Sequence, residues 1–197
     1  MISIKNEILR KGIHLSSLAV PLFLHLYGRY FTLLFLVPIT FSFVVLDLLR
    51  INNQIVRNSY NFFFNSITRE KESRRLTGAS YVFIASTFIV FVFPETIAIA
   101  ALMIMSISDT FAAIIGRLYG SLFIRRKSIE GSVSFFISSL AIVLLFSDLN
   151  ISISIICILI ATIVELYTPI NDNLSIPVAF AGTYTLLNTI TKMSGVL

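Results

Sequence analysis

The stretch SISDTFAAIIGRLYGSLFIRRKSIEGS, residues 106–132, decides how this chain is organised. It begins inside an apolar run that carries one acidic residue, Asp109. A carboxylate inside a membrane-spanning helix costs on the order of 3 kcal/mol, so it persists where it faces a polar cavity or binds a partner. The stretch then ends in a basic loop flanked by glycine. A buried acid that leads into a cationic loop predicts a site where a metal ion and a phosphate meet at a membrane surface.

The composition supports a membrane location for this stretch. The chain has 197 residues, of which 56% are hydrophobic and 13% are charged, and its mean hydropathy is +0.91. Soluble domains carry about 25% charged residues. We therefore predict an all-α fold, a single polytopic membrane domain over residues 1–197. The net charge of +5 indicates loops that face anionic lipid and not nucleic acid, and the lone Cys157 is interpreted as a packing residue.

Seven apolar segments approach the length of about 20 residues that a helix needs to cross a bilayer. They cover residues 13–27, 30–49, 78–93, 96–119, 132–146, 151–167 and 176–187. With seven spans, the basic segments 1–11, 50–77 and 117–131 share one side with residues 168–175, whereas the other side has only Arg29 and Lys192 as positive charges. The positive-inside rule then places the N-terminus and the polar groups at the cytoplasm. Within segment 50–77, residues 60–64 predict an interfacial helix.

Small residues follow Asp109 on one helical face. Ala112, Ala113, Gly116 and Gly120 recur at spacings close to three and four residues. Such a face allows a ligand or a neighbouring helix to come close. Two interpretations therefore stay open: a nucleotide-binding face, or a helix-packing stripe in which Asp109 pairs with an arginine.

The basic loop combines positive charge with the start of a helix. Lys127 and the free backbone N–H groups of a following helix can hold phosphate oxygens. Ser128 can also cap that helix, and Glu130 would then interact favourably with its dipole. Gly131 would allow close backbone approach. Phosphate binding and simple capping both remain open here.

Further oxygen ligands lie on the same predicted side. Glu165 is near the end of the sixth span, and Asp172 and Asn173 fall in the predicted turn after it. Together with Asp109 they are hard ligands that suit Mg²⁺, which usually takes one or two carboxylates plus phosphate and water. An Asp-Asn pair is also common in ordinary turns.

Cationic groups and a histidine complete the candidate set. Arg74, Arg75 and Arg117 can each contact phosphate or anchor a helix end at the membrane surface. His14 can accept a proton or can simply lie at the interface. The sequence contains no Walker phosphate loop, zinc-ligand spacing or nucleophile elbow.

The segments SISDTFAAIIGRLYG and RRKSIEGS together resemble the D-x-x-A-x-x-x-G-x-x-x-G…K-[ST]-x-E-G-[ST] signature of the polyprenol kinase family. That family includes dolichol kinase, phytol kinase and CTP-dependent diacylglycerol kinase. Other segments are similar to family features in the same order along the chain: the entry to the first span with Glu7, Arg10, Lys11 and His14, then RRLTGASY, then Glu165, Asp172, Asn173 and Pro177.

The resemblance implies a membrane enzyme that transfers a phosphoryl group from CTP to the hydroxyl of a long-chain polyprenol, with Mg²⁺ as cofactor. It implies three catalytic residues, Asp109, Lys127 and Asp172, and four metal ligands, Asp109, Glu165, Asp172 and Asn173. The nucleotide-binding residues would be Arg74, Arg75, Gly116, Arg117, Gly120, Lys127, Ser128, Glu130 and Gly131. The base would be Asp109 or His14. Alternatives are a diacylglycerol or phytol kinase, a phosphatidate cytidylyltransferase, and a small transporter that couples an ion to Asp109. No partner protein is implied.

Overall fold

The structure is a computed structural model that describes residues 4–64, 75–125 and 127–194. Its helices are α1 (Ile4–Leu15), α2 (Ala19–Asn52), α3 (Gln54–Phe64), α4 (Gly78–Val92), α5 (Glu95–Met103), α6 (Asp109–Leu118), α7 (Ile129–Val143), α8 (Ile151–Tyr167) and α9 (Asp172–Met193). A 3-10 turn, Ser16–Leu18, links α1 to α2. The strands β1 (Phe123–Ile124) and β2 (Lys127–Ser128) form one short antiparallel pair. The all-α prediction is confirmed.

The first long helix breaks where a turn was predicted. Inside α2, Gly28 has φ 73° and ψ 175°, a left-handed region that glycine reaches without steric strain. The kink at Gly28 divides α2, and residues 29–52 form a separate helical segment. The predicted turn between the first two spans is therefore confirmed. The predicted interfacial segment 60–64 lies within α3 and is helical.

Residues 95–118 form one continuous helical segment with an irregular centre. Between α5 and α6, residues Ile104–Ser108 make a π-helical turn that ends directly before Asp109. Such turns are rare and occur frequently at functional sites. Among the described residues, the helices Leu9–Asn52 and Glu95–Leu118 are long and apolar enough to cross a membrane, and α4, α7 and α8 are apolar but shorter. The number of spans stays a prediction.

Two helices begin before the predicted spans 132–146 and 176–187, at side-chain caps of which the one at Ser128 was predicted. Ser128 Oγ accepts a hydrogen bond of 3.0 Å from the N–H of Gly131, so α7 starts at Ile129. Asn171 Oδ1 accepts one of 3.1 Å from the N–H of Asn173, so α9 starts at Asp172. The predicted turn at Asp172 and Asn173 is therefore wrong, since both residues belong to the first turn of α9.

The core forms around α5, and the outer surface is apolar as well. Residues Ala98, Ala100 and Leu102 of α5 are fully buried, where the helix packs against α2, α4 and α9. On the outside, large apolar side chains such as Phe41 and Leu145 are exposed. Many exposed large apolar side chains are typical of a protein that contacts lipid.

Candidate active site

The carboxylate of Asp109 is buried against two side chains of α1. Lys11 Nζ forms a short ion pair with Asp109 Oδ2 and donates to the backbone carbonyl of Asp109 at 3.0 Å. His14 Nε2 lies 3.6 Å from the same carboxylate oxygen. Lys11 and His14 are three residues apart and therefore share one face of α1. The ion-pair partner of Asp109 is thus a lysine, whereas the packing interpretation predicted an arginine.

The hydrogen bonding of His14 limits its use as a base. Its Nε2 atom lies 3.1 Å from the carbonyl oxygen of Met105 in the π-helical turn. A carbonyl only accepts hydrogen bonds, so Nε2 carries the proton and donates it. Only Nδ1 of His14 is then able to accept a proton.

A second charged cluster joins four elements. Lys127 Nζ in β2 lies 2.7 Å from Glu165 Oε1 at the end of α8 and 2.9 Å from Asp172 Oδ2 at the start of α9. Ser132 Oγ of α7 donates to the other oxygen of Glu165 at 2.9 Å. The side chains of Lys127 and Asp172 are 26% and 29% exposed, whereas that of Glu165 is 4% exposed. A ligand can therefore reach Lys127 and Asp172 from outside, with Glu165 behind them.

Burial and charge act in opposite directions within this second cluster. Burial lowers the pKa of the Lys127 ammonium, but the carboxylates of Asp172 and Glu165 outweigh it, and its pKa is raised overall. Burial raises the pKa of Asp172, and this effect exceeds the opposing attraction of Lys127. Two acids compete for one lysine here. With two acids and one lysine, the cluster would stabilise a further positive charge.

The two clusters are electrostatically connected. Burial and, after it, the negative charge of Asp109 raise the pKa of Asp172, while the charge of Lys127 opposes them. The predicted residues Lys127, Glu165 and Asp172 thus meet where α8 ends and α9 begins, and Asp109, inside the helical segment 95–118, acts on them through its charge.

The donor chemistry of the site fits Mg²⁺ only in part. Among the residues that the structure describes, no three His, Cys, Asp or Glu side chains are grouped so that they could hold a metal ion. Asn173 Nδ2 donates to the carbonyl of Gly78 at 3.0 Å and so ties α9 to α4. The acidic members of the predicted ligand set are thus not grouped within the described residues, and the four-ligand assignment stays a prediction. Two carboxylates, those of Asp109 and Asp172, still match the protein share of a typical Mg²⁺ site, which phosphate and water complete.

The glycines of the signature bring α6 against the start of α7. A Cβ atom on Gly116 would lie 2.7 Å from Ser128 Oγ, and one on Gly131 would lie 2.7 Å from the carbonyl oxygen of Ala112. A Cβ atom on Gly120 would lie 2.7 Å from Ser128 Cβ. Protein atoms fill the space beside all three glycines. This favours the packing interpretation, and direct nucleotide contact by these residues stays a prediction.

Glu130 holds the loop that precedes β1. Its Oε1 atom accepts from the N–H groups of Ser121 at 2.8 Å and Leu122 at 3.2 Å, and also from the hydroxyl of Ser121. These hydrogen bonds, led by that of the Ser121 side chain, lower the pKa of Glu130 to about 2. Glu130 therefore positions the loop next to Lys127, in addition to lying in the first turn of α7.

The three predicted arginines differ in where the structure places them. Arg75 is exposed, and its backbone carbonyl accepts a hydrogen bond of 2.7 Å from Arg50 Nη2. Arg117 is half-buried on α6. Arg74 lies outside the described residues. A nucleotide contact by these three side chains stays a prediction.

A second buried acid was missed from the sequence. Asp47 of α2 accepts three hydrogen bonds at Oδ2: from the N–H of Thr77 at 2.6 Å, from its hydroxyl at 2.9 Å, and from Ser80 Oγ at 2.6 Å. Its Oδ1 atom lies 3.2 Å from Arg50 Nη2. These contacts tie α2 to the start of α4. The available signal was an acidic residue inside a predicted span, the same signal that identified Asp109.

Lys11 was also not predicted as a site residue, although it lies in the family-like entry to the first span. The signal for it was indirect. A buried carboxylate needs a positive partner, and Lys11 is a basic residue at the entry to a neighbouring span.

A helical fold with an apolar outer surface and buried carboxylate–lysine pairs is typical of a membrane protein with a polar site. No family model matches the chain, and no solved structure matches it. An uncharacterized protein of Rickettsia prowazekii is 36% identical over 188 residues, which cover 90% of this chain and 92% of that protein.

Two named kinases are also similar. The CTP-dependent diacylglycerol kinase 1 of Saccharomyces cerevisiae is 32% identical over 139 residues, 67% of this chain and 47% of that kinase. A probable chloroplastic phytol kinase of Zea mays is 38% identical over 136 residues, 58% of this chain and 45% of that protein. The chain thus spans about half the length of these two kinases. It belongs to the polyprenol kinase family of lipid kinases, as its signature indicated.

Proposed function

We propose that this protein is a CTP-dependent lipid-alcohol kinase that phosphorylates the hydroxyl of a long-chain polyprenol at the cytoplasmic face of a membrane. The observation that carries the proposal is the contact of Lys127 with both Glu165 and Asp172, next to the Asp109–Lys11 pair. Phosphoryl transfer depends on positioning and charge stabilisation more than on covalent catalysis. This cluster supplies both acidic and basic groups for that purpose.

The charges of the cluster support separate roles. Lys127 is partly exposed and would bind phosphate oxygens of the nucleotide, which compete with the carboxylates for its ammonium group. Asp109 and Asp172 would hold Mg²⁺, with Glu165 and Asn173 in support. When bound, Mg²⁺ offsets negative charge on the nucleotide phosphates. Lys11 keeps the Asp109 carboxylate ionised and fixed in place, since a buried acid without a partner would take up a proton.

In the proposed transfer, each bond formed is matched by a bond broken, and a residue of this chain accepts the proton. The hydroxyl oxygen of the lipid bonds to the γ-phosphorus of CTP, the bond from that phosphorus to the bridging oxygen breaks, and CDP leaves. The hydroxyl proton passes to a base, for which Asp109 and Nδ1 of His14 are the candidates. The arginines Arg74, Arg75 and Arg117 would offset further phosphate charge, and the glycines would act by holding α6 close to Ser128.

A transporter would use the same buried acid differently. It needs polar groups near the centre of the membrane that can be reached from both sides. Three charged residues of this site, Lys127, Glu165 and Asp172, gather where α8 ends and α9 begins. This distribution favours the enzyme.

The direct test is label transfer with the purified protein in detergent and Mg²⁺. γ-Labelled CTP or ATP is supplied with polyprenol, diacylglycerol or phytol in parallel reactions. We expect labelled polyprenol phosphate, formed from CTP. Label in diacylglycerol or phytol instead would keep the kinase and change its acceptor. Absence of any labelled lipid, together with CMP-lipid formed from phosphatidate and α-labelled CTP, would contradict the proposal in favour of a cytidylyltransferase.

A further inference from the structure

Asp47 of α2 is a buried acid that has no part in the proposed phosphoryl transfer. It is 4% exposed, and Arg50, one helical turn further on, is 1% exposed. An ionisable residue inside a membrane span is costly, and it is kept where it serves a purpose. The two side chains form an ion pair of 3.2 Å, which balances their charges but does not account for the presence of either. The other contacts of Asp47 indicate its purpose.

The Oδ2 atom of Asp47 holds the first turn of α4. It accepts hydrogen bonds from the backbone N–H of Thr77 at 2.6 Å, from the Thr77 hydroxyl at 2.9 Å and from the Ser80 hydroxyl at 2.6 Å. Thr77 is the N-cap of α4, and its hydroxyl oxygen also accepts from the N–H of Ser80 at 3.4 Å. Because Thr77 and Ser80 are both buried, water does not replace these contacts. The start of α4 is therefore fixed on α2.

The same turn of α4 holds the start of α9. The backbone carbonyl of Gly78, the first residue of α4, accepts a hydrogen bond of 3.0 Å from Asn173 Nδ2. Asn173 is buried and directly follows Asp172, whose carboxylate lies 2.9 Å from Lys127 Nζ. A short path of contacts thus leads from Asp47 through the first turn of α4 to the first turn of α9, which carries one acid of the charged cluster.

The position of the Asp172 carboxylate depends on the backbone of α9. Its side chain is 29% exposed and contacts Lys127, which also contacts Glu165. Partly exposed ion pairs stabilise a single geometry only weakly. The aspartate side chain is short, so its carboxylate lies where the helix backbone places it. The buried contact of Asn173 with Gly78 therefore fixes Asp172 more firmly than the lysine does.

We propose that Asp47 and Thr77 are positioning residues for Asp172: they fix the first turn of α4, which in turn fixes the first turn of α9 through Asn173. This inference rests on the proposed function, in which Asp172 holds Mg²⁺ on the nucleotide. Removal of hydrogen-bonding groups behind a metal ligand typically costs about 10–100-fold in metal affinity or activity. Neither Asp47 nor Thr77 is a catalytic residue, since both act through α9.

The test removes the hydroxyl of Thr77. Thr77→Val keeps the branched shape of the side chain and loses its hydrogen bonds to Asp47 and Ser80, whereas Thr77→Ser keeps the hydroxyl. The matched control is Thr87→Val on the same helix, because the Thr87 hydroxyl also joins α4 to α2, through Thr40 Oγ1 at 2.7 Å. That contact lies about 15 Å further along α4, away from the start of α9.

The first readout is the Mg²⁺ concentration that gives half-maximal lipid phosphorylation. We expect this concentration to rise by about tenfold or more in Thr77→Val and to stay near the native value in Thr77→Ser and Thr87→Val. A loss of folded protein would lower the rate but would not change this concentration. An unchanged Mg²⁺ requirement in Thr77→Val, or an equal rise in Thr87→Val, would overturn the proposal.

Hydrogen exchange at the start of α9 is the readout that needs no turnover. The N–H groups of residues 173–175 are hydrogen-bonded to Asn171, so they report whether this turn is held in place. In Thr77→Val they should exchange about tenfold faster than in the native protein, whereas in Thr87→Val they should not change. If the native protein phosphorylates no lipid and this pattern still appears, the kinase proposal fails and the coupling of α4 to α9 stands. Unchanged exchange in Thr77→Val would overturn the coupling and, with it, the positioning role.

Discussion

Lys11 and Asp109 illustrate what a single buried charge requires. They are 98 residues apart in the sequence and are 3% and 6% exposed. Asp109 was predictable because an acid inside an apolar run is costly and is kept for a reason. Its partner was not predictable, because several basic residues at the ends of spans could satisfy the same carboxylate. Only tertiary packing of α1 on α6 selects the lysine.

We expect Lys11→Met to destabilise the protein by about 3–5 kcal/mol, because removing one partner leaves a buried carboxylate without compensation. Thermal unfolding in detergent measures this change. The double variant Lys11→Met/Asp109→Asn should lose much less than the sum of the single losses, since the unpaired charge is gone.

Lys192→Met is the matched control for this pair, because Lys192 is exposed in the last turn of α9. It should change stability by less than about 0.5 kcal/mol. Additive losses in the double variant would show that the Lys11–Asp109 contact does not form.

At the scale of helices and strands, apolar runs and the turn-forming and helix-capping residues between them predicted most of the architecture. The turn at Gly28 and the cap at Ser128 follow from local chemistry. The early start of α9 was missed because Asn171, Asp172 and Asn173 all favour turns as well as helix starts. The orientation of the Asn173 amide toward Gly78 depends on how α9 packs on α4, which no local pattern contains.

The close contact of α6 with α7 predicts a sharp difference between two glycines. Gly131→Ala would place a Cβ atom 2.7 Å from the carbonyl oxygen of Ala112, so we expect a loss of stability of about 1–3 kcal/mol or more. Gly182 of α9 has no atom within 4 Å of such a Cβ, so Gly182→Ala should be neutral or stabilise by up to about 1 kcal/mol. Similar melting temperatures for the two variants would contradict this contact.

The Asp47 network predicts that α2 stabilises the start of α4. Asp47→Asn removes the charge that balances the buried Arg50, so we expect destabilisation of about 3 kcal/mol or more. Protection of the amides of α4 from hydrogen exchange should fall first, because the N–H of Thr77 donates to Asp47. Asp148→Asn, at an exposed residue between α7 and α8, is the matched control. Unchanged exchange in α4 of the Asp47 variant would refute the network.

For the whole molecule, charge asymmetry predicted that the polar residues face one side, and the structure places the charged cluster at one end of the bundle. The depth of each helix in a bilayer is not contained in either observation. The predicted orientation assumes seven spans. One span more or fewer would move every loop after it to the opposite side of the membrane.

Cysteine labelling in intact cells tests that orientation. Cys157, the one cysteine of the sequence, is buried and provides a low background. A membrane-impermeant thiol reagent should label Asp148→Cys from outside and should leave Ser121→Cys unlabelled until the cells are opened. Labelling of both variants, or the reverse pattern, would contradict a cytoplasmic site.

The measurement that tests the central claim most directly compares the native protein with Asp109→Asn and Asp148→Asn in the γ-labelled CTP assay. The account predicts labelled lipid from the native protein and from Asp148→Asn. It predicts none from Asp109→Asn, even where a melting curve shows that the variant is folded, since loss of one partner of the buried pair also costs stability. Near-normal transfer by Asp109→Asn would contradict the assignment of the buried carboxylate to phosphoryl transfer.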